Sequence, residues 1–311
     1  MSKGAEVTAE ALPLEFEGKR SFWDVLADEK YFKWILTIPL IVVLLVFMLY
    51  PLFYCVYYSV QQYDMVRPAH FIGLDNFRAV LQNADFWHGL RRTAYILVMS
   101  ICVELLLGMG IALLFNREFR GQNIIRGLCL FPLLISPMIM SMMWNFILQY
   151  DFGVVNMVLN VIGLSKVNFW SPKLAIYTIT FISIWQWTPF SIFVLLSGLR
   201  GLPKDAFEAA RVDGAPAWLT FRRLTLPMLS PLIVIIIMLR TMWLIRLFDP
   251  LYATTRGGMG TETLDWMVYR ISFVFFDIGA GSALAIISLF LTLIVCALMF
   301  RVLMKSLGVN Q

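Results

Sequence analysis

Six long apolar runs recur along this chain, and they leave it few folds. They cover residues 34–58, 93–115, 124–148, 174–199, 228–248 and 282–304. An α-helix needs about 20 predominantly apolar residues to cross the hydrocarbon core of a bilayer. Within lipid every backbone N–H and C=O must be satisfied inside the protein, which a helix does on its own. The runs therefore predict an all-α integral membrane protein with six transmembrane helices. Pro39, Pro51, Pro132, Pro137, Pro189 and Pro231 fall inside them. Such prolines are tolerable because neighbouring helices re-satisfy the freed carbonyls. Composition agrees: 60% of residues are hydrophobic and 14% charged, against about 45–50% and about 25% in soluble domains.

Lys and Arg set the expected orientation. With the N-terminus inside, the tails and the loops after the second and fourth runs hold roughly twice as many basic residues as the other loops, which places both termini in the cytoplasm. This bias accounts for the net charge of +5, and no clustered basic patch suggests nucleic-acid binding. Residues 1–33 read as a cytoplasmic tail, too long and too acidic for the charged region of a signal peptide. Its end, 21–33, is either a short interfacial helix capped by Ser21 or Asp24, or flexible chain. Residues 34–311 form the membrane domain. The outer loops each hold a predicted short helix: 75–82, one within 151–163, and one after the glycine-rich turn at 256–260. Cys55, Cys102, Cys129 and Cys296 lie in or beside apolar runs without a CxxC pair and read as small hydrophobes. The only histidines, His70 and His88, share one loop, so metal chemistry within the membrane is poorly supplied.

The long polar interruption at 201–227, GLPKDAFEAARVDGAPAWLTFRRLTLP, is the expected docking element. Over 205–212, Asp205, Glu208 and Arg211 recur at i, i+3 and i+6 and share one helical face. Phe207 and Ala210 take another face, with Ala206 and Ala209 between. The alanines keep the helix slim enough for close approach by a partner. Gly214 suits a left-handed helix cap, and Pro216 suits the first turn of a second helix. There Trp218, Phe221 and Leu224 form an apolar stripe bordered by Arg222 and Arg223, and Pro227 and Pro231 bracket entry to the fifth run. This predicts a helix–turn–helix held at both ends by membrane helices. The patterning alone fits docking and simple packing on the bundle equally well.

The same residues carry a resemblance. Glu208-Ala209-Ala210, Asp213-Gly214-Ala215 and Leu224-Thr225-Leu226-Pro227 resemble the EAA signature of bacterial ABC-importer permeases. The stretches at 50–60, 71–77, 115–126, 131–139 and 254–264 are similar to the maltose/glycerol-phosphate type of sugar permease, so the likeness spans about 32–303. Two departures stand out: Met259 replaces the proline of a Gly-Gly-Pro turn, and Arg246 stands where such permeases commonly have a neutral side chain. The resemblance implies a type I ABC-importer permease fold in the bacterial inner membrane. It also implies a second, similar permease subunit, two ATPase subunits that bind ATP and Mg, and a periplasmic substrate-binding protein. This chain has no GxxxxGK[ST] phosphate loop of its own. The implied ATPase-coupling residues are Glu208, Ala209, Ala210, Arg211, Asp213, Gly214, Ala215, Leu226 and Pro227.

Ionisable residues within a membrane are costly and point to function or to pairing. Arg240 and Arg246 fall in the fifth run, and Asp249 follows at the spacing of a partner for Arg246. Glu104 in the second run is a candidate partner. Either arginine is expected to pair with a neighbour, or to line the path and favour an anionic substrate, since a forked guanidinium suits carboxylate, sulfonate or phosphate. Trp144, Asn145, Trp185, Gln186 and Trp243 complete the pathway candidates, because sugars stack on aromatic rings and bond to amides. The competing explanation for the tryptophans is an interfacial aromatic belt. Three classes of function come into question for such a chain. An importer permease subunit without catalysis of its own leads. A self-sufficient secondary transporter would show repeats and coupling-ion carboxylates, and a membrane enzyme would show a His, Asp, Glu or Cys cluster at one depth. Neither pattern is evident.

Overall fold

A computed structural model describes residues 29–306, and they are overwhelmingly helical. Among the described residues five helices are long and apolar enough to cross a membrane, or six spans if one bent pair counts as a single crossing. Helix α1 (Glu29–Ser59) passes through Pro39 and Pro51 without interruption. Its portion through Tyr54 belongs to a unit of its own, in which Tyr50 and Tyr54, one turn apart, bring their ring centroids to 4.7 Å. Of the predicted interfacial helix at 21–33, residues 21–28 lie outside the described residues, and the rest is the first turn of α1.

The second unit begins at Cys55. Two short antiparallel strands, β1 (Gln61–Gln62) and β2 (His70–Phe71), lead to α2 (Asp75–Gln82), the amphipathic helix expected there. Buried Asn76 fixes this corner by donating to the carbonyls of Ser59 at 2.9 Å and Gln61 at 2.8 Å. The next helix, α3 (Ala84–Phe115), starts nine residues before the predicted span. Asn83 caps it, its side chain accepting from the Asp85 N–H at 2.8 Å.

The third span departs from expectation. It is not one rod but two helices, α4 (Gln122–Leu134) and α5 (Pro137–Ile147), bent by 98°. Proline restricts the residue before it to extended backbone, and Ser136 has φ −54° and ψ 135°. Ile135 is extended too, and Pro137 then opens α5, where a missing N–H costs nothing. The outer helix predicted within 151–163 is α6 (Val154–Val161).

Helix α7 (Ala175–Arg200) is the most enclosed span and packs lengthwise on α3. Beyond it come α8 (Lys204–Val212) and α9 (Ala217–Thr220), then a π-helical turn (Phe221–Thr225) that runs directly into α10 (Leu226–Ile245). The second helix of the polar loop is therefore not a separate element. It is the first part of one helix over Ala217–Ile245. Ala112, Phe115, Ile192, Leu195, Leu196, Leu229 and Ile236 form the core joining α3, α7 and α10. The described residues close with α11 (Asp249–Ala253), α12 (Leu264–Tyr269), a second π-turn (Arg270–Val274) and α13 (Ile278–Ser306). Val80, Phe86, Leu264, Met267 and Leu284 seat α13 and α12 against α2 and α3.

Candidate functional site: an exposed loop and a buried polar node

Two features dominate the α7–α10 half of the molecule. One is the polar loop, and the other lies deep between the helices that carry it.

Helix α8 covers the predicted stretch, extended by Lys204 at its start. None of its residues is buried; Glu208, Ala209, Arg211, Asp213 and Gly214 are exposed, while Phe207, Ala210 and Ala215 are half-buried. Asp205 and Arg211 lie in its first and last turns, each at the end where its charge favours the helix dipole. Gly214 takes φ +70°. The Ala215 N–H donates to the Ala210 carbonyl at 2.9 Å and the Gly214 N–H to the Arg211 carbonyl at 3.1 Å. This pair of bonds is the Schellman motif, which satisfies the last carbonyls of a helix and turns the chain sharply. The expected glycine bend is thus present, formed by the EAA residues themselves. Pro216 stands one position earlier than expected, capping α9 with extended backbone. Trp218 and Phe221 stack at 5.9 Å, and Trp218 is exposed.

Between this loop and the α3–α4 connection lies a hollow of about 1410 Å³, lined by Glu118, Arg117, Arg126, Arg200, Lys204, Glu208 and Arg211 among others. The Arg126 guanidinium braces its wall by donating to the Phe115 carbonyl and to Gln122 Oε1.

The buried feature centres on Arg240, which is 1% exposed. Its Nε donates to Glu104 Oε2 at 2.6 Å and its Nη2 to Glu104 Oε1 at 2.7 Å, a two-pronged pair between α10 and α3. The same Nη2 reaches Ser183 Oγ on α7 at 3.2 Å. The Trp187 ring lies over the guanidinium at 4.7 Å, close enough for a cation–π contact. Arg240 thus has the neighbouring-helix partner expected of it, and Glu104 is that partner. Trp243 packs on Trp187 at 4.7 Å and is otherwise exposed.

The remaining pathway candidates separate into different places. Trp144 and Trp185 meet edge to face at 5.4 Å, and Trp185 lines an apolar cavity of about 620 Å³ between α3, α4 and α7. Buried Gln186 donates to the Ile135 carbonyl at 3.1 Å, tying α7 to the bend between α4 and α5. Asn145 donates to the Ala253 carbonyl at 3.3 Å. Arg246 is exposed and lies just past the last residue of α10, outside the span that was expected to contain it. No ion pair joins it to Asp249 among the described residues; the pairs present are Arg67–Asp64, Arg240–Glu104, Arg270–Asp85 and Arg270–Glu262.

Asp265 in α12 was not singled out from the sequence. Burial pushes its carboxyl above the ordinary range, Arg246 opposes that, and Asp249 adds to it. The three charges are therefore electrostatic neighbours around the end of α10. Glu262 is also raised by burial, with Arg270 opposing. Arg270 Nε lies 2.9 Å from Glu262 Oε1 as an ion pair too poorly aligned for a hydrogen bond.

The class of protein the fold defines is a multi-helix membrane protein with an exposed helical loop between two membrane-length helices. The comparisons give the family. Residues 104–306 match the model of the binding-protein-dependent transport system inner membrane component. The trehalose/maltose transport system permease protein MalF of Thermococcus litoralis is 32% identical over 265 residues, 84% of this chain and 89% of that one. The sulfoquinovosyl glycerol transport system permease protein SmoG of Agrobacterium fabrum is 33% identical over 274 residues, 86% and 89% of the two chains. A chain of the bacterial alginate ABC transporter crystallised with an alginate-bound periplasmic protein superposes with a TM-score of 0.77 at 21% identity, covering 89% of this chain and 95% of that one. The chain belongs to the family of inner-membrane components of binding-protein-dependent ABC transporters. It is a multi-pass permease subunit and not an enzyme. Membership brings an ATPase and a substrate-binding protein as partners, and it decides against a self-sufficient secondary transporter.

Proposed function

We propose that this chain carries a sugar or sugar derivative inward by alternating access, and that its α8 loop is where the ATPase engages. Both termini and the loop face the cytoplasm on this reading, and a second, similar permease subunit completes the pathway. The observation that carries it is the construction of the loop. An exposed helix ends in a Schellman bend made by Ala210, Gly214 and Ala215, and on each side the chain continues into a full membrane helix. Displacing such an element must tilt α7 and α10. Glu208 and Arg211 are the polar contacts, Ala209 and Ala210 allow close approach, Asp213 and Gly214 make the turn, and Leu226 and Pro227 lead into α10.

The relatives support this cargo class, since their names specify trehalose/maltose and sulfoquinovosyl glycerol. Trp144 and Trp185, which meet edge to face, and Trp243 on Trp187 are the aromatic faces offered to sugar rings, at two separate places; Asn145 and Gln186 are the amide candidates, each already bonded to a backbone carbonyl. Arg246 and Asp249 lie toward the outer mouth.

Reconstitution of the complete transporter tests the reading. Glu208→Lys is expected to abolish substrate-stimulated ATP hydrolysis and uptake while the chain still inserts. Normal uptake by that variant, or ATP-independent uptake by this chain alone, overturns it.

A further inference from the structure

We propose that the Glu104–Arg240–Ser183 node is a positioning device for coupling. It holds the two helices that carry the loop as one body, so that force reaching the loop tilts them together. This rests on the coupling role proposed for α8.

The geometry is specific. Ser183 is on α7, which enters the loop, and Arg240 is on α10, which leaves it. One guanidinium nitrogen of Arg240 bridges them, bonding Glu104 on α3 and Ser183 on α7 at once. Counting along the helices at 1.5 Å per residue, Ser183 lies about 26 Å from the Arg200 end of α7, and Arg240 about 35 Å from the Ala217 start of its helix. The node is thus remote from the loop, where a small angular change has the longest lever.

Near the loop the two arms meet through apolar side chains. Gly198 packs against Leu232 and Leu229. Such a contact is held by van der Waals packing alone, so a shift there strands no charge. The node is costlier to shift. Moving α10 past α3 by more than a hydrogen-bond length would strand a guanidinium and a carboxylate in the protein interior, and an uncompensated buried charge is far costlier than a shifted apolar contact. Helix α3 in turn packs lengthwise on α7, and Arg240 adds its own ties to α7 through Ser183 and the Trp187 ring. The bending between loop and bundle is left to the segments that can take it, the turn at 201–203 and the π-turn Phe221–Thr225. Local π-turns recur at functional positions in helices.

Buried ion pairs can often be replaced by apolar residues of similar volume without loss of stability. That separates a positioning role from a purely structural one. The transporter is reconstituted in proteoliposomes with its ATPase, second permease subunit and binding protein, and substrate moved per ATP is measured. In the double variant Glu104→Met/Arg240→Met, assembly and ATP hydrolysis are expected to persist. Substrate moved per ATP is expected to fall roughly tenfold, within the 5–150-fold range typical of coupling between sites. A wild-type ratio in that variant overturns the proposal. Should it fail to assemble, the double variant Ser183→Ala/Trp187→Leu decides: it leaves the ion pair and removes both α7 partners of Arg240, so the ratio should fall several-fold, and an unchanged ratio overturns the proposal. Failure of the underlying loop reading looks different, because Glu208→Lys would then keep the wild-type ratio.

Discussion

A Cβ placed on Gly108 would stand 2.8 Å from the Cβ of Ser191. The next obstacles are backbone atoms, the Ser191 carbonyl carbon at 3.3 Å and the Ile192 nitrogen at 3.4 Å. Helices α3 and α7 approach here until only hydrogen fits between them. Small residues play this part in membrane helix packing, where van der Waals contact replaces hydrophobic drive. Glu104, one turn before Gly108, reaches Arg240 from the same helix.

Gly108→Ala is therefore expected to destabilise by about 1–3 kcal/mol through overpacking, and Gly108→Leu to prevent accumulation of an intact bundle. Gly110 on the same helix has nothing within 4 Å of its would-be Cβ. Gly110→Ala should be neutral or stabilising by about 0.5–1 kcal/mol. Thermal unfolding of the purified complex in detergent distinguishes the two. Equal effects at both positions would show that close approach of α3 and α7 is not what Gly108 provides.

The spans and the loop were legible because their signals are local. An apolar run long enough to cross a bilayer has only helix available to it, and α8 with Gly214 follows from eleven consecutive residues. The bend between α4 and α5 was not legible. Pro132 and Pro137 look alike in sequence, yet only the second breaks the helix. The carbonyl freed there is taken by Gln186, 51 residues away. The Glu104–Arg240 pair, 136 residues apart, could be posed as a question but not answered. The continuity of α9 and α10 was hidden by Pro227. The wide turn closed by the Leu226 N–H on the Phe221 carbonyl gives that proline ring room inside a continuous helix. Asp265 gave no sign, since its importance lies in the approach of α12 to the end of α10.

At Gly214 the obstacle to a side chain is conformation and not space. Its φ of +70° disfavours most L residues, and no atom lies within 4 Å of a would-be Cβ. Gly214→Asn is expected to retain most substrate-stimulated ATP hydrolysis, because asparagine tolerates this cap. Gly214→Val should lose nearly all of it, since a branched side chain at positive φ strains the bend. Similar activity in both variants would remove the Schellman bend from the mechanism.

Burial raises Asp265 in the folded protein, so the folded state holds this proton more tightly than the unfolded chain. The folded state then loses stability as pH rises from the ordinary aspartate range, near 4, through the raised value, and the penalty persists above it. Asp265→Asn should unfold at a higher temperature than the wild type at neutral pH, with the gap closing on acidification. A gap that widens on acidification reverses the assigned sign.

Arg246 and Arg240 are expected to differ sharply as readers of substrate charge. The Arg240 guanidinium is committed to Glu104, Ser183 and Trp187, so its replacement should impair neutral and anionic sugars alike. Arg246 is exposed beyond the end of α10 and makes no ion pair among the described residues. Its planar fork is available to a carboxylate or sulfonate. Hydrogen bonds to charged groups contribute about 1.5–3 kcal/mol when shielded, and exposure brings the expectation for Arg246→Gln down to roughly a tenfold loss of preference for an anionic over a neutral sugar. Competition uptake in proteoliposomes, with one labelled sugar of each kind, measures that ratio directly. An unchanged ratio would assign Arg246 to the membrane boundary and leave charge selection to another residue or to the second permease subunit.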